Sequence, residues 1–144
     1  MLDGRPLIDA HTHPARLPTL KAAWRGWATD FGDAAVLDRV FDSGGTPIPE
    51  RFVELLDTEG VDIALMLCEY SPKATGYQRF EDLLPIVEQN PSRFRPVANV
   101  NPHLHFPIAD EVRRQLDLGA AALKLHPVHG GFRCDDAALY PAYH

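Results

Sequence analysis

The chain has 144 residues, 45% hydrophobic and 24% charged, the balance of an ordinary globular domain long enough for one real core. Fourteen Lys and Arg stand against twenty Asp and Glu, a net charge of −6. With no clustered basic run, nucleic acid is not an expected partner, because phosphate binding needs a concentrated basic surface. No apolar stretch is long enough for a membrane span, and a strand-like segment so near the start argues against a cleavable leader.

The first β-favouring run, 7–10, leads into Asp9-Ala10-His11-Thr12-His13. The segment 14–48 then reads as an insertion of about 35 residues, where α/β units usually use loops of roughly 2–6. Inside it Leu20, Trp24, Trp27 and Phe31 share one helical face, and Asp33 reads as the cap of a second helix carrying Val36, Leu37, Val40 and Phe41. Pro49 opens a helix with Phe52, Val53, Leu55 and Leu56 on one side and Gly60 as its stop.

The second run is 61–68. The stretch 80–90 carries Phe80, Leu83, Leu84 and Val87 at helical spacing, with Pro85 tolerable only in a first turn or at a kink. The third run is 96–100. Pro107 opens a helix with Ile108, Val112 and Leu116 at i, i+4 and i+8, closed by Gly119, and the fourth run is 121–125. The last three runs are nearly continuous apolar segments, as strands buried on both faces are. The order β-α-β-α-β-α-β predicts an α/β fold with a parallel sheet and right-handed crossovers. An open doubly wound sheet and a barrel both fit. No Gly-x-Gly-x-x-Gly follows the first strand and no Gly-Lys-Ser/Thr loop occurs, which speaks against dinucleotide and phosphate-cradle versions.

The chemistry gathers at the strand ends. His11 and His13, at i and i+2, share a face about 6.6 Å apart along a strand, so both rings can lean onto one ion. Asp9 lies one step deeper on that face, leaving Ile8, Ala10 and Thr12 for outer helices. In the fourth run Leu123 and Leu125 take one face, Lys124 and His126 the other. Burying either charge alone is costly, so Lys124 is expected in an interior ion pair, with Asp9 as candidate partner, in preference to bridging metals. His126 suits a ligand, a substrate contact or a proton carrier, with a packed, hydrogen-bonded histidine as the plain alternative. Glu69 follows the second run, and Asn101, His103 and His105 follow the third. Cys68 and Cys134 match no zinc or redox spacing and read as free thiols of a reducing, cytoplasmic setting.

The His-x-His, Gly60-Val61-Asp62-Ile63-Ala64, the segment from Arg93-Phe94-Arg95-Pro96 to Asn101-Pro102, and Lys124-Leu125-His126-Pro127 together resemble the amidohydrolase-2 group of the amidohydrolase superfamily. The resemblance runs over essentially the whole chain, in the family's order. It implies the N-terminal half of a TIM (β/α)8 barrel, about four β-α units. In such a barrel 14–48, leaving the C-terminal end of the first strand, would lie over the mouth, where Trp24 or Trp27 would glue the insertion down or touch substrate. The resemblance implies His11 and His13 as ligands of one divalent metal, usually zinc; His126 is the candidate catalytic residue by its place at the end of the fourth run, not by the resemblance. Asp9, Glu69, Asn101, His103 and Lys124 would stand behind them or meet a small-molecule substrate. The family's further ligands, a histidine after strand five and an aspartate after strand eight, have no counterpart. A full barrel takes about 250 residues, so the chain reads as a truncated barrel. The expected activity is metal-dependent hydrolysis of a carbon–nitrogen, ester or lactone bond. Decarboxylation of an aromatic or muconate-type acid, or a non-catalytic half-barrel subunit, are the alternatives, and a homo-oligomer is left open.

Overall fold

The computed structural model describes residues 3–30 and 34–144, with the side chains of 27–29 and 34 outside the description. Its strands are β1 (Ile8–Thr12), β2 (Ile63–Leu67), β3 (Glu69–Ser71), β4 (Gly76–Gln78), β5 (Phe94–Asn99) and β6 (Ala122–Lys124). The α-helices are α1 (Ala22–Thr29), α2 (Ala34–Val40), α3 (Pro49–Glu59), α4 (Leu84–Val87), α5 (Ile108–Asp117) and α6 (Pro127–Gly130). The fold is α/β. β1, β2, β5 and β6 pair in parallel in that order, a curled four-stranded sheet, while β3 and β4 form a separate antiparallel hairpin. All four expected sheet strands are present, with ends displaced by one or two residues.

β2 shows why the sheet sits where it does. Ala64, Met66 and Cys68 alternate onto one face and bury against Phe52 and Leu56 of α3 and against Phe80, Leu83, Ile86 and Phe94. α3 has Pro49 in its first turn and Gly60 beyond its end at φ +68, the left-handed position that glycine takes without a Cβ penalty. Pro85 falls in the first turn of α4, after a 3-10 turn over Phe80–Leu83, so the stretch is two short helices end to end and not one kinked helix. Burial pushes the Cys68 thiol up to about 12, so this cysteine is inert packing material.

A second cluster, Val100, Ile108 and Leu139, takes in Val112 of α5 and Leu123 and Leu125. The expected stripe on α5 holds for Ile108 and Val112 but fails at Leu116, which is 50% exposed, while Gln115 is fully buried. Helix geometry explains it. At 3.6 residues per turn, i+8 has drifted about 80° from the Ile108 direction, whereas i+7 returns to within about 20° of it. Gln115 therefore faces the sheet, where its Oε1 accepts from Asn99 N–H and its Nε2 donates to the Asn99 carbonyl, both at 2.9 Å.

The opposite rim of the sheet is stitched by polar groups. Arg93, at the entry to β5, donates to the Val61 and Asp62 carbonyls at 2.6 and 3.2 Å and pairs with Asp57 of α3 at 2.5 Å. The Asp62 carboxylate accepts from Leu7 N–H at 2.8 Å. Two of the family-like segments thus meet as structural joints.

β1 differs from expectation. Among the described residues it pairs only with β2, and Leu7 and Ile8 are 41% and 50% exposed, so no outer helix there covers them. Its register also shifts between Asp9 and Thr12, where three residue steps on β1 span two on β2, a bulge that takes in His11 at the start of the His-x-His. Among the described residues no helix is long and apolar enough to cross a membrane.

Candidate functional site

β1, β2, β5 and β6 run in parallel, so their C-terminal ends share one rim, and the titratable side chains collect there. His11 and His13 converge with Nε2 atoms 3.1 Å apart and ring centres 5.0 Å apart. Two nitrogens held by one tetrahedral zinc at about 2.0–2.1 Å would stand about 3.3 Å apart, so the pair fits two corners of such a sphere. Burial, helped by the Lys124 charge, brings the His13 imidazole down to about 3, and the same causes lower His11. Both rings are therefore neutral near pH 7, the form a metal ligand needs.

Lys124 reaches into the same volume from β6. Its Nζ lies 3.3 Å from His11 Nε2 and 3.3 Å from His13 Nε2. Leu123 and Leu125 pack outward as expected, and burial lowers the Lys124 ammonium from its ordinary value. The expected partner is wrong: among the described residues no ion pair joins Lys124 to Asp9. The Asp9 carboxylate instead turns back on its own strand, accepting from His11 N–H at 2.9 Å and from the Thr12 hydroxyl at 2.8 Å. The bulge brings those donors within reach, and Asp9 becomes a local brace for the histidine pair.

Glu69, which follows the second run as expected, opens the β3–β4 hairpin and is 3% exposed. Its Oε2 lies 3.2 Å from His126 Nδ1. His126 packs against His129 with ring centres 4.0 Å apart and planes tilted by 49°, and Trp24 meets His129 edge-on at 5.7 Å. That contact sets α1 of the 14–48 segment beside the site, with Trp24 against a histidine. Phe31 and Asp33 lie outside the described residues, and so does the Trp27 side chain.

Asn101 and His103 hold the rim's backbone. Asn101 Nδ2 donates to the Tyr70 carbonyl at 2.8 Å, and its Oδ1 accepts from His103 N–H at 2.9 Å. His103 Nε2 lies 3.0 Å from the Gly131 carbonyl. Both line a cleft of about 50 Å³ with Lys73 and His129, whose walls include none of His11, His13 and Lys124. His105 packs on Tyr70, ring centres 4.6 Å apart, and its Nδ1 accepts from Asn101 N–H.

Sequence reasoning missed His129 and Gln78. Gln78, fully buried on β4 opposite Glu69, donates to the Pro14 carbonyl just past His13 at 2.9 Å. A glutamine in a short polar segment carries no sequence signal for that contact. His129 sits three residues after His126, the spacing that joins neighbours on a helical turn, and was legible to that extent.

The donor set is two imidazoles with an ammonium between them. Among the described residues no group of three or more His, Cys, Asp or Glu side chains is arranged to hold a metal ion. The pair fits half of a zinc sphere.

No family model matches the sequence, and no curated protein matches it either. The chain is similar in structure to an uncharacterised TIM-barrel protein from Bordetella bronchiseptica, with a TM-score of 0.62 and 21% identity. The match covers 96% of this chain and 50% of that one, so the chain spans about half the length of the barrel it resembles. The sheet is therefore half of a TIM barrel, and the likeness speaks to fold alone.

Proposed function

We propose that this chain carries the first metal-binding half of a barrel hydrolase, with His11 and His13 as two ligands of one divalent cation, zinc by preference. The observation behind the reading is the 3.1 Å approach of two neutral imidazole nitrogens at the C-terminal rim, where barrel enzymes place their sites. A divalent metal bound there would supply an activated water, its pKa lowered to about 7, and would polarise a carbonyl oxygen. The chain's own residues do the remaining work described above. Asp9 holds the backbone between the two histidines, Lys124 puts a cation where negative charge builds up on a substrate oxygen, and His126 stands ready to carry a proton. The substrate class is a small molecule with an ester, lactone or amide carbonyl.

A second reading draws on the two-ligand donor set: a half-barrel that binds metal weakly and has no catalytic role. One experiment separates them. The full product of the gene is assayed with and without added zinc against ester, lactone and amide substrates, beside a His11→Ala/His13→Ala double variant. Metal-dependent turnover lost in the double variant supports the hydrolase reading. Metal binding without turnover supports the second, and turnover indifferent to both metal and substitutions overturns both.

A further inference from the structure

Glu69 and Gln78 face each other across the β3–β4 hairpin as a directly paired residue couple, and both side chains are buried, at 3% and 0% exposure. Each reaches in a different direction. Gln78 grips the backbone carbonyl of Pro14, immediately after the His-x-His, while Glu69 reaches His126 just past Lys124. The hairpin is thus a two-armed brace joining the ends of the sheet's two outer strands, β1 and β6, from above the rim.

The Glu69 arm has an unusual balance. A buried carboxylate needs compensation, and the Lys124 ammonium, though Glu69's charge bears on it, makes no ion pair with it among the described residues. Glu69 Oε2 meets His126 Nδ1, and Oε1 is buried with no hydrogen-bond partner among the described residues. An ionised carboxylate only accepts hydrogen bonds. The hydrogen between Glu69 and His126 must then sit on Nδ1, which leaves His126 Nε2 as a lone pair. His126 is close enough to His11 and His13 for its charge to bear on both rings, and its outer face is held by the His129 ring, itself backed by Trp24.

We infer that Glu69 is a positioning residue that fixes His126 as the Nδ1–H tautomer, so that His126 Nε2 is the proton acceptor of the site. The inference rests on the proposed hydrolase reading for its chemistry. As a water oxygen attacks the substrate carbonyl, one water O–H bond breaks and its proton goes to Nε2, giving an imidazolium held by the Glu69 carboxylate. The same proton then leaves Nε2 for the departing nitrogen or oxygen as the bond to the carbonyl carbon breaks, which returns His126 to its starting form. No electrons are gained or lost, and no further reactant is needed. This is the general base followed by general acid pattern, with a carboxylate holding the base in its tautomer and orientation.

The test needs neither substrate nor metal. Long-range proton–nitrogen correlation spectra of the 15N-histidine-labelled chain, without metal and at a pH where His126 is neutral, report which ring nitrogen carries the hydrogen. The expected result is an unprotonated Nε2 and a protonated Nδ1 for His126. Glu69→Ala moves the hydrogen to Nε2, while Glu69→Gln, whose amide oxygen still accepts from Nδ1, keeps the Nδ1–H form. If Glu69→Ala fails to fold, the wild-type and Glu69→Gln spectra decide the matter alone. A wild-type His126 protonated on Nε2, or a tautomer unmoved in a folded Glu69→Ala chain, overturns the inference. In the full gene product, Glu69→Ala lowers kcat by roughly 100-fold or more with KM little changed, and Glu69→Gln recovers part of that loss. Equal kcat in wild type and Glu69→Ala would also overturn it. Failure of metal-dependent turnover with the tautomer intact would instead count against the hydrolase reading, so the two can be told apart.

Discussion

Acid should loosen this fold through one buried ring. His13 titrates at about 3 in the folded chain, lowered first by burial and next by the Lys124 charge, against 6.5 for an ordinary histidine. Between those values the unfolded chain binds the extra proton, so stability rises with pH across the window and is lost as pH falls through it. At pH 5 the folded ring is still neutral, and the loss is set by protonation of the unfolded form: about 1.5 pH units at 1.36 kcal/mol each, or ~2 kcal/mol. By pH 4 the same arithmetic gives ~3.4 kcal/mol. His13→Gln removes the titration and keeps a side chain of similar reach. Urea unfolding of both chains at pH 7.5 and 5.0, with EDTA present, isolates the His13 contribution because His11, His105 and the carboxylates remain in both. The wild type should lose about 2 kcal/mol more than the variant on acidification. Parallel losses in the two chains would refute the buried, neutral His13 that the site requires.

Other consequences are open to measurement in the same material. The 144-residue chain by itself should show no ester, lactone or amide hydrolysis above a His11→Ala/His13→Ala control, because its described residues offer two metal ligands where catalytic zinc uses three. Turnover well above that control would show a complete site. Gln115→Leu should cost about 2–3 kcal/mol in denaturant midpoint analysis, since it strands both the N–H and the carbonyl of Asn99 inside the protein. A loss under 1 kcal/mol would mean that water or a neighbour replaces the amide. Gly76→Ala should destabilise the chain and loosen Trp24, because φ is +157 there and a Cβ would stand 2.6 Å from the Thr19 carbonyl oxygen. An unchanged Tm and an unchanged tryptophan emission spectrum would contradict that close approach.

The parallel strands were legible because a strand covered on both faces must be apolar almost throughout, as 61–68 is. Helix ends were legible for an equally local reason, proline or glycine at Pro49, Gly60 and Pro107. The β3–β4 hairpin was not. Its strands are three residues each, too short to show alternation, and Ser71-Pro72-Lys73-Ala74-Thr75-Gly76 reads as an ordinary loop. Yet that hairpin carries Glu69 and Gln78, so its chemistry was visible only as a polar residue after a strand. At the site itself, face alternation correctly brought Lys124 into reach of His11 and His13, because Leu123 and Leu125 must bury outward. The same rule misassigned Asp9, since a bulge breaks the two-residue period. Helical periodicity extended over two turns misplaced Leu116 for a related reason: small angular drift accumulates. The Trp24–His129 contact joins residues 105 positions apart, a pairing that only the folded chain brings about.

The central claim is that His11 and His13 act together as metal ligands. Titrating the chain with cobalt(II), as a spectroscopic stand-in for zinc, while following the two imidazole side chains by nitrogen-detected spectra reads this most directly. The account predicts that one equivalent perturbs Nε2 of both rings together, and that either single substitution, His11→Ala or His13→Ala, weakens binding by at least tenfold. Cobalt bound with equal affinity by the His11→Ala/His13→Ala double variant, or shifts confined to other histidines, would contradict it.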